Sequence, residues 1–315
     1  MKDIARVGIV GAGTMGRRIA FGCIIRGVET RIYDVIPDAL ARAAEVVRKL
    51  IEDREADGRL KPGTLEAAWL LFSLRPTLED CVSGVDLVIE NVPEKVELKR
   101  KVFSDLVPFL GPETLIGSNT SSIRGSEIAD ASGRPEKFFN FNWGQPDDLR
   151  VEVMGNPRTA PETLEAALAF VRKLGQIPIL VRREIMGYAC NRIWRAIKKE
   201  VLFLIAGGYV SPEDIDRGWM LEWETSLAPV MMMDKIGLDV IRDIEMNYFR
   251  ASADPSDRPP AFLEDMIARG KLGVKSREGF YKYPDPAYQR PGSTSRDLFT
   301  SAETPSGVTI SPARG

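Results

Sequence analysis

The chain has 315 residues, 44% apolar and 28% charged, with a net charge of −2, the composition of a globular protein with material for one large domain or two ordinary ones. That balance provides no basic surface for a nucleic acid or an anionic membrane, and no apolar run approaches the ~20 residues that span a bilayer. Histidine is absent, which removes it as metal ligand, nucleophile partner or general base; the three cysteines, Cys23, Cys81 and Cys190, lack metal-ligand spacing and read as core residues in a reducing compartment.

The sequence enters its first strand at once, so no signal peptide is expected and the compartment reads as the cytoplasm. Residues 7–10 form a buried strand, followed by Gly11-Ala12-Gly13-Thr14-Met15-Gly16 and a helical period over 17–22. In such a turn Gly11 allows the tight strand-to-helix reversal, Gly13 lets the backbone approach a pyrophosphate, and Gly16 lets the helix pack closely on the strand. The amides at the helix start, aided by the helix dipole, favour the phosphate charge. A second strand over 29–33 ends in Asp34, near the spacing at which a carboxylate takes the adenosine ribose hydroxyls. Val35 and Ile36 follow it, with no arginine for a 2′-phosphate, so the cofactor is expected to be NAD.

Helices over 37–56 and 64–72 interrupt the alternation as an inserted hairpin, about 38–73. Its Arg42, Arg48, Lys49, Arg54, Arg59 and Lys61 are interleaved with Glu45, Glu52, Asp53 and Glu55, the pattern of a solvated face. A short strand over 74–77 and a buried one over 85–90 come next, then a helix over 97–110 with Leu98, Val102, Leu106 and Leu110 on one face. Strand 115–118, a short helix over 126–131, strands 138–143 and 151–154 around a polar turn, helix 161–174 and strand 177–181 complete the pattern. The Asp147-Asp148 pair in that turn has no metal-ligand pattern, and no metal is assigned. This alternation predicts a Rossmann-type, doubly wound, mainly parallel α/β sheet over residues 1–184. Strand signals then stop. Helices over 187–206, from 211, over 227–249 and over 260–269 predict an all-α C-terminal domain over 185–284. Trp219, Met220, Trp223 and Met231-Met232-Met233 either line a substrate or are plain core; apolar residues at helical spacing favour core. The Pro-, Ser-, Gly- and Thr-rich residues 285–315 read as a flexible tail.

Two polar stretches follow buried strands, Asn91-Val92-Pro93-Glu94 and Ser118-Asn119-Thr120-Ser121-Ser122. The C-terminal edge of an open α/β sheet is where ligands bind, so both arrive at the same edge as the glycine turn.

With these pieces in place the chain resembles the 3-hydroxyacyl-CoA dehydrogenase family, including its relatives that act on hydroxy acids without CoA. The resemblance runs from about residue 4 to 283. It is carried by the glycine turn, Asp34, Glu90 to Glu94 with Lys99, Ser118 to Ser122 and Val151-Glu152-Val153. Further along it rests on Gly187-Tyr188-Ala189-Cys190-Asn191-Arg192, Gly237-Leu238-Asp239 and Gly273 to Tyr281. It implies hydride transfer between NAD and a small hydroxyacyl or hydroxy-acid substrate, with a CoA thioester among the candidates, in fatty acid metabolism; in CoA-using relatives the inserted hairpin lies over the nucleotide part of CoA, the alternative to a solvated face for its cations. A homodimer through the C-terminal domain is implied as well. By the same resemblance Asp34 holds the adenosine ribose, and Glu94, Lys99 and Asn119 surround the nicotinamide ribose and amide. Ser121 and Asn191 touch the substrate oxygen, and Glu152 orients a catalytic histidine.

That histidine is missing. The family has a His-Phe-Phe-Asn-Pro-like segment, and the matching stretch is Phe138-Phe139-Asn140-Phe141-Asn142-Trp143-Gly144-Gln145-Pro146, with a following loop about two residues shorter than usual. Asn142 falls at the histidine position, and a shift of two would put Asn140 there instead. Asparagine hydrogen-bonds but takes no proton, and losing a positioned base typically costs ~10²–10⁴ in rate. Three readings follow: proton transfer passes to water or to Glu152, directly or through a water held by Asn142; the protein binds NAD without turnover as a binding or structural module; or position 142 of a working dehydrogenase was substituted on purpose.

Overall fold

The computed structural model describes residues 3–144 and 149–289; Asp147, Asp148 and the tail from 290 onward lie outside the described residues. The chain divides into two compact units between Asn191 and Arg192.

The first unit is an eight-stranded sheet flanked by helices. In chain order its elements are β1 (Arg6–Val10), α1 (Thr14–Ile24), β2 (Glu29–Tyr33), α2 (Pro37–Ala56), α3 (Thr64–Trp69), β3 (Phe72–Leu74) and α4 (Leu78–Val82). They continue with β4 (Leu87–Glu90), α5 (Val96–Leu106), β5 (Leu115–Ser118), α6 (Gly125–Ile128), β6 (Phe138–Trp143), β7 (Arg150–Gly155), α7 (Pro161–Lys173) and β8 (Ile177–Val181). The strand order is β3-β2-β1-β4-β5-β6-β7-β8, and every neighbouring pair is parallel except β6 with β7. The central strands read as continuous apolar runs because helices cover both faces of the sheet. One core packs Val7, Ile9, Ile19, Val47 and Phe170 on one side; another packs Val10, Val88, Phe103 and Ile116 on the other. The expected short strand at 74–77 lies slightly earlier, at β3, because Thr77 caps α4 instead: its hydroxyl accepts from Asp80 N at 3.1 Å.

Three strand ends converge on one edge. Each ladder is extended by one more bond before the chain turns out: Gly11 N to Tyr33 O at 2.8 Å, Asn91 N to Val10 O at 2.7 Å, and Asn119 N to Glu90 O at 2.8 Å. The inserted hairpin buries Ala43, Val47, Ile51 and Arg54 against the sheet unit and engages several of its cations locally. Arg48 stacks on Trp69 at 4.4 Å, Arg54 lies over Phe21 at 4.7 Å, and Lys49 pairs with Asp53 at 2.9 Å.

The second unit is helical: α8 (Cys190–Ala206, entering from the first unit), α9 (Pro212–Glu222), α10 (Pro229–Ile236), α11 (Leu238–Ser252) and α12 (Ala261–Ala268). Ser211 caps α9 by accepting from Asp214 N at 3.1 Å, with Pro212 in the first turn, the pairing those residues favour. The single helix expected over 227–249 is broken in two. Gly237 adopts φ +107, which an L side chain resists, and it ends α10 there. Met220, Met231 and Met233 are buried in this unit's core, while Trp223 is exposed, so the methionines are packing residues. The stretch from 285 begins with an ordered turn, Tyr288 packing edge-on to Tyr281 at 4.9 Å, and not with a free tail.

Candidate active site

The three glycines of the first turn serve different ends. Gly11 has φ +106, and a Cβ there would stand 2.7 Å from Asn91 O. A Cβ on Gly16 would strike Gly11 O, whereas one on Gly13 would meet no protein atom within 4 Å. Two glycines are therefore required by packing, and the third leaves open space where α1 begins, as a bound pyrophosphate needs. Asp34 is pinned at the tip of β2 by Ala12 N at 2.7 Å and Ile36 N at 2.9 Å. Each carboxylate oxygen keeps a second lone pair for a ribose hydroxyl.

From this turn a cleft of about 340 Å³ runs along the sheet edge, lined by Gly13, Thr14, Met15, Asn91, Val92, Glu94, Asn119, Ser121, Asn142 and Trp143. Glu94 is tied to the loop after β5: its Oε1 accepts from Thr120 Oγ1 at 2.6 Å and from the amides of Ser121 and Ser122 at 3.0 and 2.9 Å. Desolvation pushes its carboxyl up, but the Lys99 charge and the bonds from Thr120 and Ser122 outweigh that and hold it below the ordinary value. Tyr188 braces the same loop from behind; its hydroxyl lies 2.9 Å from Thr120 O and 3.0 Å from Phe141 O.

Three expected site residues are not among those that line the cleft. Lys99 does not line the cleft. It is fully buried, with its Nζ on Glu90 at 2.7 and 2.9 Å and on Val92 O at 3.3 Å. Glu90 is buried too and takes Ser118 Oγ at 2.5 Å and Val92 N at 2.6 Å. A buried lysine needs a paired carboxylate, so Lys99 secures the floor of the cleft and reaches Glu94 only at 3.4 Å. Asn191 is also outside the lining; it follows Ala189 and Cys190, whose amides are used as described next. Glu152, the third, lies behind Asn142.

The antiparallel register of β6 and β7 sets Asn142 opposite Glu152 and Asn140 opposite Met154. The two asparagines differ in their surroundings: Asn140 is buried and donates to Ile123 O at 3.1 Å, whereas Asn142 lines the cleft and donates from Nδ2 to Glu152 Oε2 at 2.7 Å. Glu152 is fully buried. Its Oε1 accepts from Ala189 N and Cys190 N, both at 2.9 Å, and its Oε2 is shared with Arg150 Nη1 at 3.3 Å. A carboxylate only accepts, so it holds the amide nitrogen of Asn142 and leaves Oδ1 to the cleft. Burial, and then the Glu152 charge, pushes the Cys190 thiol up, and burial takes Cys23 and Cys81 to about 12, so none is poised as a nucleophile.

Residues 6–185 match the family model for the 3-hydroxyacyl-CoA dehydrogenase NAD binding domain, and residues 187–283 match the model for its C-terminal domain. The chain belongs to the 3-hydroxyacyl-CoA dehydrogenase family. A 3-hydroxybutyryl-CoA dehydrogenase of Bradyrhizobium diazoefficiens is 33% identical over 89% of this chain and 96% of its own length. A 5-formyl-3-hydroxy-2-methylpyridine 4-carboxylate 5-dehydrogenase of Mesorhizobium japonicum is 30% identical over 89% of this chain and 91% of its own. The solved (S)-3-hydroxybutyryl-CoA dehydrogenase of Ralstonia eutropha superposes with a TM-score of 0.83 at 30% identity, covering 90% of this chain and 100% of that one. NAD is the cofactor of this 3-hydroxyacyl-CoA dehydrogenase-type fold, and the open space at Gly13 and the carboxylate at Asp34 fit it. Sequence reasoning missed Arg150 and Tyr188. Arg150 stands two residues before Glu152 on a strand, so strand parity put it on the same face; Tyr188 carried no such signal.

Proposed function

We propose that this family member is an NAD-dependent oxidoreductase that oxidises a hydroxyl substrate through a positioned asparagine. The observation that carries this is the 2.7 Å bond from Asn142 to Glu152, which fixes Oδ1 as an acceptor in the cleft. The glycine turn and Asp34 would hold NAD, which would supply the hydride acceptor for the hydroxyl carbon. Asn142 Oδ1 accepts a hydrogen bond from the substrate hydroxyl or from a water beside it, and Ser121 lies in the same cleft to steady the oxygen. The hydroxyl proton leaves to water. Of the two routes open from the sequence, direct abstraction by Glu152 is the less supported, because its carboxylate lies behind Asn142 with four donors on it. Glu152 is then a positioning residue. An acceptor facing the substrate oxygen also favours a hydroxyl over a carbonyl, which would meet it lone pair to lone pair.

The substrate class remains within what the relatives' names span. One is named for a CoA thioester and the other for a pyridine carboxylate, and the locally paired hairpin arginines give no special support to CoA. Exposed Phe203, Tyr209 and Trp223 in the second unit support a homodimer through residues 185–284, measurable by light scattering. The three free thiols are consistent with the cytoplasm.

The test follows nicotinamide absorbance with matched 3-hydroxyacyl-CoA and free hydroxy acids. Turnover is expected, and Glu152→Gln is expected to lower it at least tenfold, since a Gln amide turned to either side sets donor against donor at a cost of ~1–3 kcal/mol. Turnover that Glu152→Gln leaves untouched overturns the positioned-asparagine route. NAD binding with no turnover on any substrate favours a binding module.

A further inference from the structure

The strand order assigns the two halves of the cofactor to different strand ends. β2, β1, β4, β5 and β6 are successive neighbours in the sheet. Asp34, for the adenosine ribose, follows β2, and Gly13, for the pyrophosphate, follows β1, so the ends of β4, β5 and β6 are left for the nicotinamide half. Those ends supply Asn91, Glu94, Asn119, Ser121 and Asn142 to the cleft, and among the described lining residues Glu94 is the only charged one. Its four donors, Thr120 Oγ1, Ser122 Oγ and the amides of Ser121 and Ser122, all reach Oε1, at 2.6 to 3.0 Å, and its carboxyl is held below the ordinary value, hence anionic. The Lys99 ammonium lies 3.4 Å from Oε2, but Lys99 is neutralised by Glu90 at 2.7 Å. The three groups together leave one negative charge. Glu90 and Lys99 are fully buried, whereas the Glu94 side chain is 34% exposed, so that charge faces the cleft.

We infer that Glu94 discriminates between the two redox forms of the cofactor, its carboxylate favouring NAD over NADH and so biasing the cleft towards oxidation. The nicotinamide ring is cationic in NAD and neutral in NADH, while the pyrophosphate, the riboses and the adenine are the same in both. A fixed negative charge beside the ring therefore acts on one form and not on the other. Asn142 Oδ1, which favours a hydroxyl over a carbonyl, sets the same direction from the substrate side. The inference rests on the cofactor part of the reading above and not on turnover.

Calorimetric titration of NAD and of NADH, each into the full chain, gives the ratio of the two Kd values. Glu94→Gln removes the charge but keeps an acceptor oxygen for the four donors. It is expected to raise the Kd for NAD relative to that for NADH by roughly 5- to 50-fold, the effect of one partly screened charge, with the difference between parent and variant narrowing at high salt. Thr120→Val loosens the same loop and keeps the charge, so it is expected to weaken both cofactors alike and leave the ratio unchanged. Equal weakening of both cofactors by Glu94→Gln would mean that Glu94 only holds the loop, and the inference fails while the oxidoreductase reading stands. A shifted ratio in a chain that turns over no substrate supports the inference without that reading. Binding of neither cofactor to the parent chain overturns both.

Discussion

Asn142 and Glu152 form a pair whose polarity is set by one of them. The carboxylate can only accept, so it dictates which end of the asparagine amide reaches the cleft. An imidazole in the same place would present a nitrogen able to take a proton near neutral pH. Asn142→His is therefore expected to raise kcat by on the order of 10²–10⁴. It should also change the pH profile of oxidation. The parent chain, losing the proton to water, should gain rate steadily with pH, whereas the variant should gain an inflection near pH 6–7. Stopped or steady nicotinamide absorbance from pH 5 to 9 reads both, and an identical profile in the two proteins would show that position 142 takes no part in proton transfer. That Asn142 and Asn140 are the candidates for the histidine position was legible from the segment around them; that Asn142 faces Glu152 while Asn140 does not required the strand register. The principal partner of Lys99 was hidden for a related reason. A sequence gives the spacing of a lysine from a carboxylate, but two acids, Glu90 and Glu94, lay within reach, and burial decided which one claimed it.

Elements were most legible where period and punctuation agreed. Strands β5, β6 and β8 and helix α2 fall on the residues that the apolar runs and Pro37 marked. Boundaries failed where a cap or a left-handed residue overrode periodicity: Thr77 starting α4, and Gly237 cutting 227–249 in two. The joint between β4 and α5 has an energetic signature of its own. Burial raises the Glu90 carboxyl, while Lys99 and Ser118 pull it back. Removing Lys99 leaves that carboxylate buried without a partner cation, so Lys99→Met is expected to destabilise the first unit by about 3–5 kcal/mol. Glu90→Gln added to Lys99→Met should return most of the loss. Urea midpoints followed in the first unit by Trp69 and Trp143 test this; a double variant no better than the single would refute charge burial as the cause. Gly16→Ala is a second element-level case. Its Cβ would strike Gly11 O, so α1 must move off β1. NAD affinity should fall at least tenfold in calorimetry, while the Asn142–Glu152 pairing, on β6 and β7, is not touched directly.

At the scale of the whole molecule the change from α/β to all-α was readable because strand signals end abruptly, yet the anchors inside the second unit were not, since they join distant residues. Asp216 accepts from the amides of Val230 and Met231, each at 2.8 Å, and from Tyr281 at 2.8 Å. Asp257 instead receives Lys199 at 2.8 Å, Ser252 at 2.7 Å and Arg195 at 2.7 Å. Their protonation runs in opposite directions. Desolvation raises the Asp216 carboxyl above its ordinary value, whereas the Lys199 bond, with Ser252 and Arg195, holds Asp257 well below it. A carboxyl with a raised native pKa binds its proton in the folded state first, so its contribution falls as pH rises from about 4 through that raised value. One with a depressed native pKa contributes fully above about 4 and loses that contribution as pH falls towards its native value. Asp216→Asn should therefore cost most in acid and less at neutral pH, at a size of ~1–3 kcal/mol for donors left facing one another. Asp257→Asn should cost most at neutral pH, and its deficit should shrink on acidification. Urea unfolding at several values between pH 4 and 7, read by the tryptophans at 194, 219 and 223 in the second unit, compares the two slopes. Parallel slopes for the two variants would contradict the assignment of one carboxyl to burial and the other to ion pairing.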